Sequence, residues 1–262
     1  MKIRKTIYIF LASIVVACGG ASNDDSPIIK DNFTIEVTAQ KTTVNIDEAV
    51  SVILNASDVI SNIKVSTDNF DTEATVLPNN TKNSTLYFKF NAIGSKTISI
   101  KSTNNTGEVA EKSVEINVVR GNAIKINSVK VVSFYNINQT WDAEYADTDV
   151  NRLADIFFIL LKPEVNLTTG DFSYNNWYQS IVKQNQGDLI WDLTSENLYI
   201  DPDFSIFIGL ADDDGTYNAD LLMGPPSERE IKLSDYLATK PTTIKYTVPE
   251  INLDIELNVE WP

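Results

Sequence analysis

Apolar and polar residues alternate along the first half of this chain in short runs. They are Phe33-Thr34-Ile35-Glu36-Val37, Val50-Ser51-Val52-Ile53-Leu54, Ile63-Lys64-Val65, Leu86-Tyr87-Phe88-Lys89-Phe90, Thr97-Ile98-Ser99-Ile100 and Val114-Glu115-Ile116-Asn117-Val118. Side chains of an extended chain point to opposite faces with period 2, so each run predicts a strand with one buried and one wet face. Asn, Asp, Gly and Pro interrupt the runs at intervals of about 8 to 15 residues, the spacing of turns in a β-sandwich. No stretch carries a competing helical period.

The second half continues in the same manner, with strands predicted over 126–135, 156–161, 178–183, 189–193, 204–210, 230–233, 243–248 and 253–261, joined by longer and more acidic loops. Gly121 and Asn122 interrupt two strand runs and mark a boundary. A chain of 262 residues with 43% hydrophobic side chains has the length and composition for two folded cores. The predicted fold class is therefore all-β, with two antiparallel β-sandwich domains over 32–120 and 121–262.

The N-terminus has a different composition. Lys2, Arg4 and Lys5 precede an uncharged, mostly apolar run over 7–17 that stops at Cys18. That is the layout of a secretory signal, and the run falls short of the roughly 20 residues that a stable membrane-spanning helix needs. Val15-Val16-Ala17-Cys18 resembles the bacterial lipobox. The resemblance implies a signal peptide over 1–17, cleavage before Cys18, and lipid on the Cys18 thiol that holds the chain on a membrane. Residues 18–31 read as a small, polar, flexible tether. Its acidic stretch is similar to the export tag of surface lipoproteins, which implies an outer-membrane, surface-exposed location.

Charge and inventory exclude several functions. The chain carries 21 basic and 36 acidic side chains, a net charge of -15. Bulk charge of that sign makes nucleic acid a poor partner. There is no histidine and only one cysteine, so Ser-His-Asp and Cys-His catalysis, zinc ligation by His or Cys, and disulfides are ruled out. Pairs of acids able to cleave glycosides arise by chance in a chain this acidic, and no enzyme is expected.

Two acidic loops stand out. Asp149 and Asp155 are six residues apart, and Asp212, Asp214 and Asp220 follow at offsets 0, 2 and 8. Asp212 and Asp214 project to one side of an extended chain, with α-carbons roughly 6.6 Å apart. Carboxylates crowded in this way repel one another unless a cation sits among them, and calcium accepts 6 to 8 oxygens in irregular loops.

Asp149-Val-Asn-Arg-Leu-Ala-Asp155-Ile-Phe-Phe-Ile-Leu-Leu-Lys-Pro163 and Ile208-Gly-Leu-Ala-Asp212-Asp-Asp214-Gly-Thr-Tyr-Asn-Ala-Asp220-Leu-Leu-Met-Gly224 resemble the first and third calcium loops of C2 domains. The resemblance implies a C2-like calcium-binding sandwich in which the five aspartates are the ligands. It also puts Val150, Leu153 and Tyr217 at loop tips that meet a lipid, glycan or protein partner. In the first domain, the stretch 86–98 followed by Asn104-Asn105-Thr106-Gly107-Glu108 looks like the last hairpin of Ig-like PKD domains. Nothing in that domain suggests a site, and it reads as a spacer.

Tyr174, Trp177 and Tyr178 cluster beside Asn175 and Asn176 in what reads as a polar loop. Aromatic bodies with polar tips suit stacking on a sugar ring. The expectation is thus a non-enzymatic, membrane-anchored surface lipoprotein whose C2-like domain binds calcium and a ligand. The alternatives are a carbohydrate-binding accessory lipoprotein acting through Trp177 and its neighbours, or a purely structural or adhesive display protein.

Overall fold

The computed structural model describes residues 32–165, 172–213, 215, 220–223 and 228–262. Cys18, the signal and the tether lie outside the described residues, as do Asp214 and Tyr217. The chain divides between Gly121 and Asn122 into two compact units. Both are β-structures built from strands and short 3₁₀ turns.

The first unit contains β1 (Ile35–Ala39), β2 (Thr43–Asn45), β3 (Ala49–Ser66), β4 (Ala74–Val76), β5 (Thr81–Lys89), β6 (Gly94–Asn104) and β7 (Val109–Val119). One long strand organises it. The first half of β3 pairs with β1 on one side and with β5 on the other, while its second half pairs with β4 and β6. The register shifts where β3 changes partners, between Asn55 and Ile60 and again between Ile60 and Asn62. Val50, Val52 and Leu54 are buried on the first half, and Ile60, Ile63 and Val65 on the second. The sequence predicts two separate strands here because Asn55, Ser57 and Asp58 break the apolar alternation. These side chains are exposed while the backbone stays extended.

The predicted all-antiparallel pairing holds with one exception, since β2 runs parallel to β7. At three residues each, β2 and β4 are too short to show an alternation. The β6–β7 turn is built on one buried side chain. Asn104 Oδ1 accepts from the backbone N–H groups of Thr106 and Glu108, at 3.0 and 2.8 Å, and Gly107 takes the positive φ of +85° that closes the turn.

The second unit contains β8 (Ile124–Ser133), β9 (Ile156–Val165), β10 (Phe172–Gln179), β11 (Ile190–Asp192), β12 (Leu198–Ile200), β13 (Ser205–Asp212), β14 (Asp220–Leu221), β15 (Glu228–Lys232), β16 (Thr243–Val248) and β17 (Leu253–Glu260). One sheet runs β10-β9-β13, with β14 and β15 both on the far edge of β13. The other runs β8-β17-β16, with β11 and β12 on the free edge of β8. The two sheets share one core, in which Phe158 and Leu160 of β9 and Ile206, Ile208 and Leu210 of β13 join Ile126, Val129 and Val131 of β8 and Ile255 and Leu257 of β17. Trp191 closes it. Its ring stands edge-on to Phe158, with centroids 5.2 Å apart, and its indole N–H reaches the Ile181 carbonyl at 2.8 Å.

One strand is misplaced by the sequence reading. The strand predicted over 178–183 is β10, Phe172–Gln179, and Tyr174, Trp177 and Tyr178 lie on it rather than in a loop. A bulge between Asn176 and Tyr178 sets Trp177 out of register with β9. The extra residue destroys the period-2 pattern that identifies a strand.

Gly121 carries a prediction. It adopts φ +58°, and a Cβ there would stand 2.5 Å from Cγ of Asn45. Gly121→Ala is expected to lower stability by about 1–3 kcal/mol through left-handed backbone strain and this clash. Urea unfolding of the two proteins measures the difference, and an unchanged midpoint would mean that the turn relaxes freely.

Candidate functional site

The acidic loops meet at one end of the second unit. Asp149 caps the 3₁₀ turn Val150–Arg152, its Oδ1 accepting the Asn151 N–H at 2.9 Å. Val150 is 60% exposed on this turn, and Leu153 behind it is half-buried. Asp155, just before β9, is bonded on three sides. Its N–H donates to Asp212 Oδ1 at 2.6 Å, its Oδ1 accepts the Asn185 N–H at 2.7 Å, and its carbonyl accepts the Asp213 N–H at 2.8 Å. Asp212 is fully buried at the end of β13, and Asp220 is its register partner on β14.

The structure thus brings Asp155 and Asp212 together, puts Asp220 opposite Asp212 and sets Asp149 on the neighbouring turn. Three of these carboxylates hold backbone amides, Asp149 within its own turn and the other two between elements. Asp155 ties the 3₁₀ turn Gln184–Gln186 to the start of β9, and Asp212 ties that start to β13. Among the described residues no group of three or more acidic, histidine or cysteine side chains is placed to hold a metal ion. Asp214 falls outside them.

A second feature lies on the outer face of the β10-β9-β13-β15 sheet. Alternation along β9 sends Phe158 and Leu160 inward and Phe157, Ile159 and Leu161 outward, where they are half-buried. Across the sheet, Tyr174 of β10 stands opposite Pro163 of β9, and Leu161 stands opposite Phe207 of β13, which in turn faces Glu230 of β15. Tyr174 is 42% exposed, and its ring lies 4.1 Å from that of Phe207 at a tilt of 46°. With Pro163, Asp203, Phe204, Ser205 and Glu230 these two rings line a shallow cleft of about 210 Å³.

The polar groups of this cleft are held in place. Ser205 Oγ donates to Glu230 Oε1 at 2.7 Å, so the carboxylate has a fixed direction and keeps lone pairs for another donor. Partial burial, and then the nearby Glu230 carboxylate, raise the Tyr174 phenol above its ordinary pKa. A phenol is protonated at neutral pH at its ordinary value already, and this shift only widens the margin.

The other two aromatics of the cluster are occupied differently. The Lys162 ammonium sits 4.1 Å from the centre of the Trp177 ring and donates to the Tyr199 carbonyl at 2.7 Å, which covers one face of the indole. Tyr178 turns toward the core, 5.9 Å from Phe158. Tyr174 is the exposed member of the three. Phe204, Phe207, Asp203, Ser205 and Glu230 escape the sequence reading. A signal for part of this was present, since β9 and β13 carry unbroken apolar runs, which mark strands with two apolar faces.

No family model matches the chain, and no curated protein matches it. Solved structures similar to it include fibronectin(III)-like modules of Clostridium thermocellum CbhA, at 11% identity over 74% of this chain and 91% of that one, with a TM-score of 0.27. Carbohydrate-binding modules of the β-sandwich superfamily match at 10% identity over 88% and 94%, with a TM-score of 0.28. SGBP-B of the Bacteroides ovatus mixed-linkage glucan utilization locus, in complex with a mixed-linkage heptasaccharide, matches at 10% identity over 59% of this chain and 44% of that one, with a TM-score of 0.20. At these scores the likeness carries no weight, and the fold rests on the strand pairings themselves.

The bond from Asp155 to Asp212 predicts a structural cost. Asp212→Ala leaves the Asp155 N–H without its acceptor and is expected to cost about 1–3 kcal/mol in metal-free buffer. Asp212→Asn keeps a carbonyl acceptor and should cost less. Denaturant unfolding in the presence of a chelator gives both values, and equal stability of all three proteins would remove Asp212 from the framework.

Proposed function

We propose that this protein is a non-enzymatic, lipid-anchored surface protein that binds glycans through the outer-face cleft of its second unit. The observation that carries the reading is the exposed Tyr174 ring beside Phe207, flanked by Glu230, Asp203 and Ser205. A sugar has an apolar face of C–H groups and an edge of hydroxyls. The Tyr174 and Phe207 rings match the first, and the Glu230 carboxylate held by Ser205, with Asp203 beside it, matches the second. A cleft that is apolar at its centre with a few convergent polar groups is the general form of a small-ligand site. No histidine or cysteine is available for catalysis, and the reading requires no bond to be broken.

In this proposal lipid on Cys18 holds the chain to the outer membrane, residues 18–31 form the tether, and the first unit serves as a spacer. The two carboxylates and the net charge of -15 favour neutral or basic sugars over uronates and sulfated chains, which like charge repels. The test is calorimetry or affinity electrophoresis with neutral and uronate-containing glycans. Tyr174→Ala and Glu230→Gln are each expected to weaken binding of a neutral glycan about tenfold or more, or roughly 1.4 kcal/mol. Trp177→Ala should weaken it less. Full binding by Tyr174→Ala would reject the cleft.

A second reading keeps calcium, with Asp149, Asp155, Asp212, Asp214 and Asp220 as ligands of a C2-like loop site. It is favoured by the register that sets Asp220 opposite Asp212 and by the nearness of Asp155. A calcium site predicts heat of binding and a rise in melting temperature that Asp214→Asn abolishes, because a bound ligand stabilises the folded state. No response at millimolar calcium rejects it and leaves the glycan cleft untouched.

A further inference from the structure

The outer-face cleft has a neighbour. A larger depression of about 360 Å³ in the second unit is lined by Asp201, Leu237, Lys240 and Trp261 among others, and Asp203 lines both hollows. Asp203 stands on the tight turn 201–204, where its N–H donates to Asp201 Oδ1 at 3.0 Å and the Phe204 N–H closes the turn onto the Asp201 carbonyl at 3.0 Å. Pro202 is buried at the root of this turn, and Asp203 is exposed. The turn is therefore an ordered ridge between the two hollows. A rigid ridge needs little ordering when a ligand binds.

Size points the same way. Small-ligand sites commonly enclose about 300–1,000 Å³. The Tyr174 cleft falls below that range, and the second hollow sits at its lower end. Taken as one site joined at Asp203, the pair lies well inside it. Each hollow has an aromatic wall, Tyr174 and Phe207 in one and Trp261 in the other. The Trp261 indole N–H is bonded to the Pro241 carbonyl at 2.8 Å, which fixes its ring plane. Carboxylate groups run through both hollows, Glu230 in one, Asp203 on the ridge and Asp201 beyond it, and Lys240 adds a cationic donor in the second.

Resting on the glycan reading above, we infer that the ligand is an oligosaccharide chain that crosses Asp203 and occupies both hollows. A single sugar would fill only the Tyr174 cleft, so affinity should climb with chain length as sugars reach past the ridge.

The experiment is calorimetry of the purified protein with neutral gluco-, xylo- and manno-oligosaccharides of one to six sugars. In at least one series the longer members should bind about tenfold or more tighter than the shortest that binds. Lys240→Ala and Leu237→Ser, both at exposed positions, should flatten this dependence without changing the affinity of the shortest binder, and Trp261→Ala should do so if it folds. Asp203→Asn should weaken long and short ligands alike. Affinity that stops rising at one sugar, or a length dependence that survives Lys240→Ala and Leu237→Ser, would overturn the two-hollow site while leaving the Tyr174 cleft in place. No binding in any series would overturn both.

Discussion

The second unit depends on the pairing of β9 with β13. These strands run antiparallel from Phe207 opposite Leu161 to Asp212 opposite Ile156, and they are apolar on both faces. The inward set, Ile156, Phe158 and Leu160 with Ile206, Ile208 and Leu210, is buried and joins the two sheets. Burying a side chain of this size contributes about 1.5–3 kcal/mol, and these six act with the rest of the buried core against chain entropy. The outward set does different work. Leu161 and Phe207, with Tyr174 and Pro163 beside them, form an apolar strip on a sheet face that water reaches.

The same strand pair also fixes the opposite end of the unit. Where β9 begins and β13 ends, the Asp155 N–H meets the Asp212 carboxylate and the Asp213 N–H meets the Asp155 carbonyl. Asp212 is a buried carboxyl group whose burial is costly unless hydrogen bonds compensate, and the Asp155 N–H supplies one of them. Calcium ligands and backbone clamps draw on the same carboxylate oxygens. One oxygen of Asp155 and one of Asp212 are committed to an amide, and an oxygen so committed contributes less to a metal shell.

The legible part of the sequence was the part with a single period. β16, Thr243–Val248, has the bounds that the alternation predicts, and β17 and β8 differ from prediction by a residue or two. The alternation failed wherever two strands merged or one was bulged. Polar Asn55 to Asp58 hid the continuity of β3, and the bulge at Trp177 hid β10. The site was harder to see because it is assembled from four strands. Tyr174, Phe207 and Glu230 lie far apart in the chain, and only the register of β10, β9, β13 and β15 lines them up. The sequence singled out Trp177 because tryptophan is large and stood in a polar context. The Lys162 ammonium over its ring is a tertiary contact that no local pattern reveals.

Placement of the cleft on a sheet face rather than in a loop has a thermodynamic consequence. Phe207, held between β9 and β15, and Tyr174, paired to β9, sit on ordered strands and lose little freedom on binding, so the modest contact energy of a shallow surface is not spent on ordering. The area is nevertheless small, and a small area with few hydrogen bonds gives weak binding per site. In the proposed function a lipid-anchored chain would compensate by number, because many copies on one membrane facing a polymeric glycan raise the effective concentration at each further contact. The flexible tether proposed for residues 18–31 fits this mode of action, since it lets neighbouring copies reach the same polymer without a fixed spacing. On that proposal, weak rigid sites on lipid anchors would form a reversible grip whose strength grows with the length of the polymer.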